Sequence, residues 1–307
     1  MDQNILFTCY FADWIKTYKL GAVRPVTYRK YEATLKRLTQ IAPALTLANL
    51  DRRTYQGILN VYAETHERLT TLDFHHHLRA ALLDAVDDGL LAHDPSRKTV
   101  AKGIVRDKTK VKYLSLSQLT ALLTVLNLDG DATWDHFIFL LAKTGLRFAE
   151  ALGLTPADFD TKNFTVTVSK TWDYKSPTPG FGLTKNESSK RTVPLDRHTM
   201  EVLTGATYQL VTDQPLFVRR GHRVFNEVVN GRLRQLCQEA AVPTITVHGL
   251  RHTHASILLY AGVSVASVAR RLGHANMATT QKTYLHIIKE LEAQDTEKII
   301  NCLGQLV

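Results

Sequence analysis

Cysteine, methionine and tryptophan are scarce, at three of each in 307 residues. Cys9, Cys237 and Cys302 form no Cys-x-x-Cys pair. That excludes a disulfide framework and a thiolate zinc finger, and it fits a reducing compartment. No stretch reaches the roughly 18 apolar residues needed to span a bilayer. Asp2, Asp13, Lys16 and Lys19 interrupt the N-terminal segment and leave no signal-peptide core. Internal repeats and low-complexity tracts are missing as well. These absences predict a soluble, intracellular, cytoplasmic chain with no membrane partner. What remains is ordinary globular composition, 44% hydrophobic and 22% charged, in a length that predicts two domains.

Acidic side chains are in deficit. Lys and Arg total 38 against 29 Asp and Glu, a formal charge of +9. Such an excess favours a polyanionic partner, because each phosphate contact releases condensed counterions. Charge alone does not decide the matter.

Helical periodicity dominates the N-terminal third. Between Ile5 and Tyr18 the apolar Phe7, Tyr10, Phe11, Trp14, Ile15 and Tyr18 recur at steps of three and four. Gly21 to Pro25 break that run, and Thr27 opens a second helix carrying Tyr28, Tyr31, Leu35 and Leu38. Asp51 is placed to cap a third, with Tyr55, Ile58, Leu59 and Tyr62. A fourth starts near Thr70, carries Phe74, Leu78, Leu82 and Ala85, and stops at Gly89. Residues 97–112 are rich in Lys and Arg, the character of a basic linker.

Beyond it, Ser115 or Ser117 caps a helix, and another runs from about Trp134 to Ala142. Strand alternation shows at Phe164, Val166 and Val168 and again at Arg191 to Leu195, with a loop at 176–182 between them. The expected fold is mainly α. It has an all-helical domain over 1–96, the linker, and a mixed α+β domain over 113–307 with a small antiparallel sheet.

Two segments carry chemistry. In Thr144-Gly145-Leu146-Arg147, Gly145 ends one helix and places Arg147 in the first turn of the next, with Glu150 three positions on. In His248-Gly249-Leu250-Arg251-His252-Thr253-His254, His248 and Arg251 share a helix face. Ser264 caps a following helix that ends at Gly273, and His274 comes directly after it. A last helix, capped by Thr279 or Thr280, holds Tyr284. Guanidiniums are always charged and fork-shaped, which suits phosphate oxygens. A tyrosine oxygen can attack phosphorus once it loses its proton, which it ordinarily holds up to a pKa of about 10.

In order and spacing these residues resemble the tyrosine recombinase (phage integrase) family. The family pattern is an Arg after a Thr-Gly break, a Lys in a β-hairpin, His-x-x-Arg, Leu-Gly-His, and a Tyr. Here it reads Arg147, Lys185, His248 with Arg251, Leu272-Gly273-His274, and Tyr284. The resemblance implies that the first domain is a SAM-like core-binding domain and the second the catalytic domain, the two clamping duplex DNA. It implies site-specific strand exchange through a 3′-phosphotyrosyl intermediate and a Holliday junction, without metal, ATP or other cofactor.

By the same resemblance, Tyr284 is the nucleophile, and Arg147 and Arg251 clamp the phosphate with Glu150 supporting an arginine. Lys185 protonates the leaving 5′-oxygen, His248 exchanges the tyrosine proton, and His274 hydrogen-bonds the phosphate. Lys190 competes with Lys185 for its role, since the hairpin register is open. Arg24, Thr27, Lys30, Lys108 and Lys110 are the candidate DNA-binding residues. The implied partners are double-stranded DNA recombination sites, a homotetramer on that DNA and, optionally, an accessory excision or DNA-bending protein.

Other readings stay open. Residues 264–273 also resemble a recognition helix with Arg270 and Arg271 exposed, which would suit a non-catalytic helix-turn-helix regulator. His248, His252 and His254 invite a metal-dependent nuclease, but no third ligand is placed and no metal site is expected. His75, His76 and His77 point to different sides of a helix and read as a polar or DNA-facing surface. The cysteines read as small buried residues. After Tyr284, the apolar Ile287, Ile288, Leu291, Ile299, Ile300, Leu303 and Leu306 predict a terminal helix that docks on its own domain or on a neighbouring protomer.

Overall fold

The computed structural model describes residues 4–105, 111–176, 178–206, 211–219 and 221–284. The chain divides into two compact units, Met1–Lys108 and Thr109–Val307. In the first, four α-helices follow one another: α1 (Phe7–Tyr18), α2 (Pro25–Ile41), α3 (Arg52–Ala63) and α4 (Arg68–Asp87). Their apolar stripes meet in one core, in which Phe11 and Trp14 of α1, Leu38 of α2, Tyr55 and Leu59 of α3, and Leu78 and Leu82 of α4 are buried. Pro25 occupies the first turn of α2, where a missing N–H costs nothing, so that helix starts ahead of Thr27. Asp51 caps α3 by accepting from the Thr54 N–H at 2.7 Å.

Two expectations change here. His75 and His77 turn inward, to Tyr55 Oη at 3.0 Å and Thr34 Oγ1 at 2.8 Å, and His76 alone of the three is exposed. Each hydroxyl, from α3 or α2, satisfies a ring nitrogen that burial takes from water. The start of the expected linker is held to the first unit. Val100 donates to and accepts from the Gln56 side chain at 2.8 and 3.0 Å, and the Ile104 N–H donates to His66 O at 2.9 Å.

The second unit contains α5 (Leu116–Thr124), α6 (Trp134–Thr144), α7 (Phe148–Leu152), α8 (Arg197–Gly205), α9 (Asn226–Glu239), α10 (Val247–Tyr260), α11 (Val265–Leu272) and α12 (Met277–Thr283). Strands β1 (Phe159–Asp160), β2 (Thr165–Val168) and β5 (Arg191–Pro194) form an antiparallel sheet, with Val166 opposite Val193. Strands β3 (Lys170–Asp173) and β4 (Gly180–Leu183) form a separate hairpin, with Thr171 opposite Gly182. Its second strand takes up positions 180–182 of the loop expected at 176–182. Its outer strand leaves Phe181 and Leu183 exposed and is fixed by pairing and by the Trp172–Phe181 ring contact, so it shows no buried alternation to read.

The core gathers around α6, whose Phe137, Ile138, Leu140 and Leu141 are buried with Val166, Val193, Leu233 and Leu250. A smaller cluster of Ala255, Leu259, Val268, Leu272 and Tyr284 joins α10, α11 and the end of α12. Asn276, which accepts from the Ala278 N–H, caps α12 in place of Thr279 or Thr280. Cys237 is buried, as expected, whereas Cys9 is exposed. No described helix is long and apolar enough to cross a membrane. The apolar tail from Ile287 to Leu306 lies outside the described residues, as do Lys108, Lys110 and Cys302.

Candidate active site

The site is assembled where two helices end. Helix α6 stops at Gly145 with φ of +67°, and α11 stops at Gly273 with the same φ. Both positions favour glycine for more than backbone reasons. A Cβ on Gly145 would meet the His254 ring at 2.8 Å, and one on Gly273 would meet the Arg191 guanidinium at 2.8 Å. The carbonyls at such ends have no partner within their helix and carry partial negative charge.

Guanidiniums take them up. Arg251 donates to Gly145 O at 2.7 Å and to Leu272 O at 2.8 Å, and Arg147 donates to Gly273 O at 2.8 Å. Arg191 donates to Arg271 O at 2.6 Å, and Arg271 to Lys143 O at 3.2 Å.

Among the described residues, one carboxylate serves this cluster. Glu150 is 1% exposed and accepts from Arg147 Nη1 at 2.6 Å, the Arg147 N–H at 3.0 Å and Arg191 Nη2 at 2.9 Å. Burial alone would raise its pKa, but the Arg191 and Arg147 guanidiniums hold it below the ordinary carboxylate value. Arg147 is thus the N-cap of α7 rather than a first-turn residue. Arg251, 4% exposed, is pushed down to about 9 by burial and then by Arg147 and Arg191, with only partial relief from Glu150. The cluster holds more positive charge than its own carboxylate neutralises, and an anion would complete it.

Histidines and the tyrosine border this charge. His274 is held by Thr280 Oγ1 at 2.7 Å and brought down to about 4 by burial and by Arg251, Arg147 and Arg191. Tyr284 is 3% exposed, and burial raises its hydroxyl to about 12 against the pull of Arg251. The hydroxyl lies 3.0 Å from Nδ1 of His252. His248, exposed, packs edge-on against His252 with ring centroids 4.8 Å apart. His254 is engaged at both nitrogens: Nδ1 meets Ala142 O at 2.9 Å, and Nε2 accepts from Arg271 at 2.9 Å.

Arg147, Arg251, His274 and Tyr284 are therefore brought together through shared partners and mutual electrostatics, and His248 joins them through His252. Lys185 is exposed just beyond β4, on the stretch leading to β5, and Lys190 pairs with Glu187 at 3.0 Å. Arg24 caps α2 and is exposed like Lys30, while Thr27 is half-buried.

Motif reading missed Arg191 and His252. Arg191 heads a strand whose pattern announced its pairing but not the direction of its side chain. His252 stands one helical turn from His248, a spacing that also fits an ordinary helix face. The expectation that Arg271 faces outward is corrected: its three nitrogens donate to His254 Nε2, Pro194 O and Lys143 O, inside the frame.

Known proteins resemble this chain in sequence and in fold. The family model described as "Phage integrase family" matches residues 112–290. The chain is 26% identical to the integrase of Staphylococcus phage L54a, across 67% of this chain and 64% of that protein. It is 24% identical to a tyrosine recombinase XerC-like protein of Caldanaerobacter subterraneus subsp. tengcongensis, across 97% of this chain and 83% of that protein. The chain spans less than two thirds of the length of the phage relative.

Among solved structures, the Tn1549 transposon integrase in complex with transposon right-end DNA shares the fold at a TM-score of 0.79 and 20% identity, covering 96% of this chain and all of that one. A lambda integrase tetramer bound to a Holliday junction does so at 0.67 and 16%, covering 90% and 79%. Since the family match takes in more than half of the 307 residues, the chain belongs to the phage integrase family.

Proposed function

We propose that the chain is a site-specific DNA recombinase that breaks and rejoins strands through Tyr284. The observation that carries this reading is the buried tyrosine set in the field of an arginine cluster with a deficit of negative charge. Attack on a phosphodiester builds charge on the non-bridging oxygens, and Arg147 and Arg251 are pre-organised donors for it. His274 hydrogen-bonds the same phosphate, and Lys185 protonates the departing 5′-oxygen. The phosphotyrosyl bond conserves the energy of the broken linkage, so rejoining needs no nucleotide.

DNA contacts in the first unit run through Arg24, Thr27 and Lys30, with Lys108 and Lys110 following. In keeping with the lambda integrase tetramer on a Holliday junction, this chain works as a homotetramer on paired sites. The helix-turn-helix regulator has less support, because Arg271 of its would-be recognition helix is spent on the frame.

The test is covalent trapping on a nicked duplex carrying a directly repeated core sequence, sought in the DNA that flanks the gene. Wild type should yield a slower-migrating protein–DNA band, and Tyr284→Phe should bind the duplex without forming it. A band of equal yield from Tyr284→Phe would assign the nucleophile elsewhere.

A further inference from the structure

The tyrosine hydroxyl has a neighbour outside the family pattern. His252 Nδ1 lies 3.0 Å from Tyr284 Oη, within reach of a proton transfer. We infer that His252, in place of His248, is a catalytic residue of the reaction proposed above, taking the Tyr284 proton on Nδ1 as the oxygen attacks and returning it when the strand is rejoined. The inference rests on the reading of Tyr284 as nucleophile.

The surroundings suit that role. His252 sits on α10 in the field of His248 and Arg251 from the same helix and of Lys112 from the start of the unit, with Tyr284 facing it from the end of α12. Burial first, and then those positive groups, bring it down to about 4. The ring is therefore neutral at pH 7 and can offer Nδ1 as an acceptor, with its own proton on Nε2. Tyr284, at about 12, keeps its proton in the resting site.

Transfer must then accompany bond formation. An incoming phosphate adds negative charge beside the imidazole and raises its proton affinity, while the forming Oη–P bond acidifies the phenol. The step balances: Oη–P forms, P–O5′ breaks, the phenol proton moves to His252 Nδ1, and the 5′-oxygen takes its proton from Lys185. Rejoining runs the same transfers backwards. An imidazolium beside Arg251 is a ready donor, which fits a reaction that must return to its starting state.

A purely positioning histidine would leave the same 3.0 Å contact, so the test separates holding from proton transfer. In the full-length chain, His252→Asn keeps an amide near the Nδ1 position but accepts no proton. Cleavage is read on the nicked duplex and on a matched duplex whose scissile 5′-oxygen is replaced by sulfur, a leaving group that needs no acid. His252→Asn should be slower by on the order of 100-fold on both duplexes, whereas Lys185→Ala should recover on the sulfur duplex alone. Added imidazole should partly restore His252→Ala.

Cleavage by His252→Asn within about threefold of wild type would overturn the inference. So would a defect that disappears on the sulfur duplex, which would make His252 the acid. Both results presuppose a wild-type adduct; if wild type forms none on either duplex, the reading of Tyr284 falls first and takes the inference with it.

Discussion

In the first unit, ring groups that reach into the core find partners on neighbouring helices: Tyr10 Oη reaches Ala81 O at 3.0 Å and Trp14 Nε1 reaches Asp84 at 2.6 Å. In the second unit the site is built on guanidiniums, and carbonyls at the ends of α6 and α11 take up a bond from each of Arg147, Arg191, Arg251 and Arg271. An aromatic ring brings its own apolar area to the core and needs only its tip satisfied. A buried guanidinium brings a charge that burial opposes, and two helix ends plus Glu150 are what make several of them tolerable. Among the described residues, the first gathers no such cluster of like charge in its core. The second is left positive, which suits a site that waits for a phosphate.

The sharpest way to break the contrast is to remove the one carboxylate. Glu150→Gln takes the counter-charge from Arg147 and Arg191 and should cost about 3–5 kcal/mol. Hydrogen exchange resolved along the chain should show that loss in α6, α7 and α10, with α1 to α4 unchanged. A loss spread evenly over both units would erase the distinction.

Acid is the next probe. His254 is brought down to about 4 by burial and by Arg271. Its folded pKa lies below the ordinary 6.5, so the unfolded chain binds the extra proton between those values. Stability from this group is complete above 6.5 and is lost as pH falls towards 4, roughly 3 kcal/mol in all. Denaturant midpoints measured across that window should fall in wild type and fall less steeply in His254→Asn, where His252 and His274 still titrate. Equal slopes in the two proteins would remove His254 from the account.

The smallest effect belongs to the first unit. Trp14→Phe keeps the ring in the core and deletes the bond to Asp84, at a cost of about 1 kcal/mol. Cleavage by DNA-saturated protein should not change. A cleavage defect would tie that core to the chemistry.

How far each region was legible in the sequence follows the same contrast. The helices of the first unit could be read because Phe7, Phe11, Leu78 and Leu82 report a buried face at helical spacing. In the second unit Arg147, Arg251, His274 and Tyr284 could be named from the order of the motifs, yet their supports could not. Arg191 reaches Glu150 across 41 positions, and Arg147 reaches Gly273 across 126, separations that no local period encodes. The inward turn of Arg271 escaped for a related reason. Its helix looks amphipathic in sequence, and only the fold brings His254, Pro194 and Lys143 within reach of its side chain. Strand β4 stayed hidden because its glycines carry no side chain and its apolar residues lie exposed.

The central claim, that the arginine cluster activates phosphate for one particular hydroxyl, is tested most directly by locating the covalent bond. Wild-type protein trapped on the nicked duplex is digested with trypsin and nuclease, and the nucleotide-bearing peptide is sequenced by mass spectrometry. The account predicts a single modified peptide, beginning at Thr283 after Lys282, with the nucleotide on Tyr284. A nucleotide on any other tyrosine, or on a serine or histidine, would contradict it.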